Sequence, residues 1–427
     1  MDGTPPVLAS APPILTHLPP KPAGSPSSWR KLVAILLSLF LGLFLASGLA
    51  SALDDSCVLL TGKHLFAAID GILTLLTLLT TILVYGLMGL SPVMPKRIVL
   101  PLITFIALSL LTSPLAAIFY YQSIVQYDLI VSCLAVVLSV AMLCRLQRGW
   151  KLRWPVVADK YLGTRAFSWL NLSLFVLLNL FVLLPVVAVY MGSCASLAVS
   201  RFTDGFMSLR PAGVVVQARK YTRDDGKTIL LFPMSHIADS SFYRSVMQTV
   251  SSNSVVLLEG ITDKSNLLTH GISYKRAANS LHLAEQHEDF KLQQGELVRA
   301  DVDVSQFSSN TLALLNIIAL VHVEGVNAHT ISLLMGYTPT EDVEQQLLDD
   351  ILLRRNQHLL EVLRARLPDA NDFIIPWGAA HMAGISREIQ KSGFHLVATH
   401  DFVAIHFGGK KGDASDPGWT QHAEKSN

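Results

Sequence analysis

Charge is scarce in this sequence. Only 15% of its 427 residues are Asp, Glu, Lys or Arg, where a soluble globular chain carries about 25%. Basic and acidic residues nearly cancel, leaving a net charge of +1, so no polyanionic partner is implied. With no basic patch interleaved with aromatics, the expectation is no nucleic-acid partner. Cysteine is scarcer still: Cys57, Cys133, Cys144 and Cys194 are all there is. None lies beyond position 194, which excludes a thiol nucleophile or a zinc–thiolate site in the second half. No HExxH motif or other close pair of ligands occurs among the many histidines (His270, His282, His287, His322, His329, His358, His395, His400 and His406 among them), and no internal repeat of fixed period is visible.

What is abundant is apolar surface, at 51% of residues with a mean hydropathy of +0.44. A bilayer core of about 30 Å needs roughly 20 apolar helical residues. Five stretches approach that length: Leu32–Leu53, Leu65–Leu90, Ile98–Tyr120, Leu129–Cys144 and Trp169–Tyr190. The fourth is the shortest and leans on flanking residues such as Arg145. Residues 1–30, rich in Pro, Ser and Ala, read as a disordered tail. They are no cleavable signal peptide, because Arg30 and Lys31 come late and the run behind them is too long for an h-region; that run reads as a signal anchor.

The loop charges set an orientation. Arg30 and Lys31 precede the first span, Lys96 and Arg97 follow the second, and Arg145, Arg148, Lys151, Arg153, Lys160 and Arg165 follow the fourth. The loop after the first span carries Asp54, Asp55 and Lys63, and the loop after the third has no Lys or Arg. The N-terminus is therefore expected in the cytoplasm and residues beyond about 200 on the far side. Cys57 and Cys194 then share the outer side, where disulfides persist; whether they meet is left open. Asp70, inside the second span, is an ionisable group in the membrane. With no acid or base inside the other four stretches, it has no relay partner, and a transporter is disfavoured.

From about residue 205 to 408 the composition becomes ordinary. Strands are expected at 214–216, 228–232, 255–258, 373–375, 395–399 and 402–407, with helices at 240–250, 343–367 and 385–392 and a mostly helical stretch over 275–365. The expected class is an all-α transmembrane bundle over 31–200 followed by an α/β (α+β) domain with a central mixed sheet, and a second disordered tail over 409–427. Three apolar strands run into chemistry-bearing residues: Phe232 into Pro233-Met234-Ser235-His236, Leu258 into Glu259-Gly260, and Ile375 into Pro376-Trp377-Gly378-Ala379-Ala380-His381. Ligands of open α/β sheets bind at the carboxyl ends of strands. Two imidazoles and a carboxylate delivered there can hold a divalent metal and activate water.

These residues resemble the TraB/GumN superfamily, which includes the Tiki proteases and is related to the erythromycin-esterase/ChaN-like proteins. Gly378-Ala379-Ala380-His381, followed by Gly384-Ile385, is similar to the second G-x-x-H motif of that family. His236 with Ser241 is similar to the first, Glu259 to the acidic position after it, Arg355-Asn356 to the late-helix pair, and Asp301 to a mid-domain acid. Pro233 stands where the first motif begins with Gly, and Val302 follows Asp301 where Arg is common. The resemblance covers roughly residues 210–408. It implies a membrane-tethered, metal-dependent hydrolase, acting on secreted or periplasmic peptides outside the cytoplasm of a bacterial inner membrane. In that reading His236, His381 and Glu259 bind Mn²⁺ or a similar divalent ion. Arg355 stabilises developing negative charge, Asn356 orients a ligand or substrate, and Ser241, Asp301 and Gly378 support the site. The alternative it leaves open is a non-catalytic module that binds a peptide signal.

Overall fold

A computed structural model describes residues 28–147, 149, 153–269, 274–336, 343–408 and 419–421. The expected tail over 1–27, Arg148, Lys151, His270 and most of the expected tail over 409–427 lie outside the described residues. The chain divides into two compact units, Met1–Val186 and Val187–Asn427, each taken by itself below.

Among the described residues, five helices are long and apolar enough to cross a membrane: Ser28–Thr61, Ala67–Leu90, Lys96–Phe119, Tyr121–Gln147 and Trp169–Phe202. The first four contain α1 (Ser28–Thr61), α2 (Ala67–Leu90), α3 (Lys96–Phe119) and α4 (Ile124–Gln147); the fifth joins α5 (Trp169–Leu178) to α6 (Leu184–Phe202) through a π-turn at Asn179–Leu183. Two residues past that turn stands Pro185, which lacks the N–H an α-helix would require. The chain is thus an integral membrane protein by the length and composition of its helices. Leucines such as Leu79 and Leu83 point outward, while small residues face the neighbouring helices. At Gly48 an added Cβ would stand 3.2 Å from that of Ala135, so glycine lets α1 and α4 approach closely.

Two expectations about this unit change. Helix α1 continues to Thr61 and α4 begins at Ile124, so Asp54, Asp55 and Asp128 are helical residues of the bundle and not loop residues. An isolated helix end at Leu53 would leave carbonyls without donors; carrying α1 further satisfies them in place. Asp70 therefore has acidic neighbours after all. All four cysteines are free thiols. The basic loops gather at one end of the unit: Arg30 donates to the carbonyl of Asp159 at 2.8 Å, and the Gly163 N–H donates to the carbonyl of Val93.

The second unit holds a mixed sheet. Its strands are β1 (Met207–Arg210), β2 (Gly213–Thr222), β3 (Thr228–Met234), β5 (Val255–Leu258), β7 (Glu296–Arg299), β8 (Asp372–Gly378), β9 (His395–His406) and β10 (Thr420–Gln421); β4 (Ile237–Ala238) and β6 (Ala284–Glu285) form a separate pair. The order is β10-β9-β2-β3-β8-β5-β7, with β1 also on β2. Strands β3, β8, β5 and β7 run parallel, and β2, β9 and β10 extend them antiparallel. Alternation along β3 sends Ile229 and Leu231 to one face, against α13 (Arg355–Arg366) and α14 (Ala379–Lys391). It sends Leu230 and Phe232 to the other, against α7 (Ser240–Gln248). Strands covered on both faces read as continuous apolar runs, as these do.

The remaining helices are α8 (Lys275–Leu281), α9 (Gln286–Asp289), α10 (Ser309–Glu324), α11 (Ala328–Gly336) and α12 (Val343–Leu348). Strand β7 interrupts a stretch expected to be helical; four residues at the sheet edge, paired on one side, leave too short a pattern to distinguish. The two strands expected at 395–399 and 402–407 are one, β9, bent by register shifts opposite Val214/Val215 and Lys220/Tyr221. Thr420 and Gln421, placed in the expected disordered tail, pair with Thr399 and Ala398. Ser28 to Arg30, placed in the expected N-terminal tail, already belong to α1.

Candidate active site at the carboxyl edge of the parallel strands

The four parallel strands end on the same side of the sheet, and each leads into a polar residue: Glu259 after β5, Asp301 after β7, His236 after β3, and His381 in α14 after β8, which ends at Gly378. The fifth contribution comes from α13. A π-turn over Asp349–Arg354 precedes it, and the adjacent residues Arg355 and Asn356 are both buried. Such a wide turn alters the helical register, a recurrent device at functional sites.

Arg355 is the hub. Its Nε donates to Asp301 Oδ1 at 3.0 Å, and its Nη2 donates to Asp301 Oδ2 and to Glu259 Oε1, both at 2.7 Å. The Asp301 side chain is fully buried. Burial opposes its charge, but Arg355 and the N–H groups of Gly260 and Val302 outweigh that and hold its pKa below the usual carboxylate range. For Arg355, burial works against the cation, and Asp301 and Glu259 overcome it, raising its pKa. Glu259 Oε2 accepts the Gly378 N–H at 2.6 Å, so both of its oxygens are held.

His381 lies beside this network with its side chain 5% exposed. Its Nδ1 is 2.7 Å from Asn356 Oδ1, an acceptor, so Nδ1 carries the proton and Nε2 keeps its lone pair. That lone pair faces Arg355 Nη1 at 3.3 Å, with Glu259 Oε1 at 3.6 Å. Burial first, then the Arg355 cation, push the His381 pKa down to about 4, with Glu259 and Asp301 opposing. The imidazole is neutral at neutral pH. Trp377 packs edge-on against it at 5.2 Å between ring centroids, and the Trp377 indole donates to the carbonyl of Leu257, which fixes that ring against His381.

Two glycines bear on this geometry differently. A Cβ at Gly384 would stand 2.7 Å from Asn356 Nδ2, so glycine there is what allows Asn356 to reach His381. A Cβ at Gly378 would make ordinary contact, 3.5 Å from Glu259 Oε2 and 3.6 Å from the His381 ring, so the position is tolerant by itself.

Glu259, Asp301, Arg355, Asn356, Gly378 and His381 thus come together. His236 and Ser241 stand apart from the hydrogen-bonded network. His236 is exposed, with its ring stacked on Tyr274 at 4.8 Å and 6°. It is near enough for its charge to contribute to the His381 pKa, yet among the described residues no hydrogen bond joins its ring to the network. Ser241 sits in the first turn of α7, where its carbonyl accepts the Ser245 hydroxyl. Asp301 is a partner of Arg355 and not of a histidine. Pro233 is accommodated because the β2–β3 ladder ends at Leu231, so a strand residue without an N–H leaves no partner on β2 unmatched. Tyr274 had no signature in the sequence; burial first, then the Glu259 and Glu285 carboxylates, raise its hydroxyl pKa, and its ring is the one stacked on His236.

The residues do not fit the divalent ion that the resemblance implies. The guanidinium of Arg355 already lies against both the His381 Nε2 lone pair and Glu259 Oε1, and a second cation there would be repelled at close range. Among the described residues no group of three or more His, Cys, Asp or Glu is arranged to hold a metal ion. Compared with known proteins, the chain matches no family model, no curated protein and no solved structure.

Proposed function

We propose that the second unit is a hydrolase of the TraB/GumN kind, displayed on the non-cytoplasmic face by the membrane helices and acting on peptide carbonyls without a metal. The observation that carries it is the pairing of a neutral, buried imidazole, its tautomer fixed by Asn356, with a guanidinium at the carboxyl edge of parallel strands. The basic loops collected at one end of the membrane unit support a cytoplasmic N-terminus, and five spans then put the second unit on the other side.

In this reading a substrate carbonyl entering over Gly378 draws the Arg355 Nη1 donor away from His381 and onto its own oxygen, where it stabilises the developing oxyanion. His381 Nε2, freed, takes a proton from water as the water oxygen bonds to the carbonyl carbon. Glu259 stabilises the imidazolium. The proton passes to the amide nitrogen as the C–N bond breaks, giving an acid and an amine.

A second reading, capture of a peptide without cleavage, is favoured by one feature: both Glu259 oxygens and the Arg355 Nε and Nη2 are already occupied within the protein. The full chain in detergent, incubated with a peptide library with and without chelator or Mn²⁺, separates the two. The expected result is chelator-insensitive cleavage lost in His381→Ala and Glu259→Gln. Saturable binding without turnover would establish the capture reading, and chelator-sensitive turnover would overturn the metal-free arrangement.

A further inference from the structure

The end of the membrane unit at the basic loops carries cations that the hydrolase reading does not use. Lys96 and Arg97 open α3, and Arg145 lies in the last turn of α4. All three line one groove of about 560 Å³ built from these two helices, and no carboxylate is among its lining residues. Among the described residues, Lys96 Nζ donates to the neutral Asn171 Oδ1 at 2.8 Å, and the guanidinium groups of Arg97 and Arg145 have no hydrogen bond or ion pair. Asp159, the carboxylate of the basic loop after α4, pairs with neither of them.

These charges are unfavourably placed for the protein alone. Helix α3 starts without a side-chain cap. A helix N-terminus is the positive end of the dipole, so Lys96 and Arg97 add charge of the same sign where an anion is favoured. Beyond the cations the groove turns apolar, with Leu100, Pro101, Phe105 and Leu108 from α3 and Leu138 from α4; Leu100 and Leu108 are exposed. Arg97, Leu100, Thr104 and Leu108 follow one face of α3 at spacings of three and four residues. From Arg97 to Leu108 the groove runs roughly 16 Å along the helix at about 1.5 Å per residue. That is close to one leaflet of a hydrocarbon core about 30 Å thick. A cationic head over an apolar trough of that length matches a molecule with an anionic head and acyl chains. A free phosphate would satisfy the cations and leave the trough uncovered.

We propose that this groove binds an anionic phospholipid of the leaflet at the basic loops, with its phosphate at Arg97 and Arg145 and one acyl chain along Leu100, Leu108 and Leu138. Basic pockets between membrane helices hold anionic headgroups by the same combination of charge and apolar contact. The site stands whether or not the second unit is a hydrolase.

The test is binding of phosphatidylglycerol to the delipidated full chain in a non-ionic detergent, counted by native mass spectrometry, with phosphatidylcholine, glycerol 3-phosphate and inorganic phosphate as comparators. The expected result is one saturable phosphatidylglycerol per chain, preferred over phosphatidylcholine by about tenfold and not displaced by the two soluble phosphates. Arg97→Gln and Arg145→Gln should each weaken it about fivefold, the change expected for one basic residue beside an anionic lipid, and the double variant should bind the two lipids alike. Arg165→Gln, at a basic loop residue outside the groove, should leave the preference intact. A loss there equal to that of Arg97→Gln would assign the preference to the general positive potential of the loops and overturn the groove. Equal affinity of wild type for the two lipids overturns the proposal, and displacement by inorganic phosphate overturns the lipid in favour of a soluble anion. Should a variant not stay monodisperse, the wild-type thermal midpoint decides: a higher midpoint of the membrane unit with phosphatidylglycerol than with phosphatidylcholine supports the site, and equal midpoints overturn it.

Discussion

The two units apply the same bonding rules with opposite results. In the membrane unit, hydroxyls serve their own helix: Ser38, Ser56, Ser109, Ser139 and Thr81 each donate to the carbonyl four residues back. Large apolar side chains turn outward. In the second unit, hydroxyls and charges reach across the fold, as Thr228 does to Asp372 and Tyr221 to Ser386, and the apolar side chains turn inward. The difference teaches that burial reports the solvent. Where lipid replaces water there is no gain in hiding a leucine, but every polar group must find a partner nearby. Exposure of an apolar residue is therefore ordinary in the first unit and informative in the second, and an unpartnered hydroxyl such as Thr77 is informative in the first.

The comparison would break most visibly at Arg355. Its substitution by Met leaves Glu259 and Asp301 buried with no cation, which costs about 3–5 kcal/mol for a buried pair losing one member. Thermal unfolding of the full chain should show the second unit destabilised while the membrane helices keep their transition. A neutral result would mean that the network is open to water, and the contrast between the units would fail at its most buried charges.

Next in size is a pH effect. The pKa of His381 falls from its ordinary 6.5 to about 4 in the folded chain, so the unfolded chain binds more protons between those values. Stability therefore rises with pH through that window. It is fully present above about 6.5 and is lost as pH falls toward 4, by roughly 3 kcal/mol in all. His381→Asn should flatten this part of the stability profile of the second unit; a slope that persists unchanged would assign it to another group.

Smaller effects should follow from filling two glycines, one in each unit. At Gly384 the new methyl meets Asn356 Nδ2 at 2.7 Å, and at Gly89 it meets the Phe175 ring. Overpacking of this kind costs about 1–3 kcal/mol. The two should differ in consequence: Gly384→Ala displaces Asn356 from His381 and lowers peptide turnover, while Gly89→Ala loosens α2 from α5 and leaves turnover alone. Equal effects on turnover would show that Asn356 does not set the His381 tautomer.

The membrane unit is legible in the sequence because about 20 apolar residues in a row suit a bilayer and little else. Asp54 and Asp55 are misplaced by the pattern because charge ordinarily marks the end of a span, whereas α1 carries these residues inside its end. In the second unit, strands covered on both faces are visible as apolar runs, and the residues past Leu258 and Ile375 are the ones that converge. Arg355 and Asn356 stand out by resemblance alone. No pattern could show that a π-turn precedes them, or that the guanidinium would lie where the resemblance puts a metal. That depends on distances between β5, β7, α13 and α14, which are separated widely along the chain. His236 looks equivalent to His381 as a histidine past an apolar strand, but it turns outward onto Tyr274.

The smallest expected effect tests the comparison at its base. Leu79 in α2 is 54% exposed, and Leu359 in the second unit is fully buried. Leu359→Ala removes a core side chain and should cost about 2–5 kcal/mol. Leu79→Ala exchanges one lipid-facing apolar group for a smaller one and should cost within about 0.5 kcal/mol, read as the thermal midpoint of the membrane unit in nanodiscs. A loss at Leu79 as large as that at Leu359 would mean that this face of α2 is covered by protein and not by lipid. In that case the outward leucines of α2 would be an interface between chains, and apolar exposure in the membrane unit would be as informative as it is in the other.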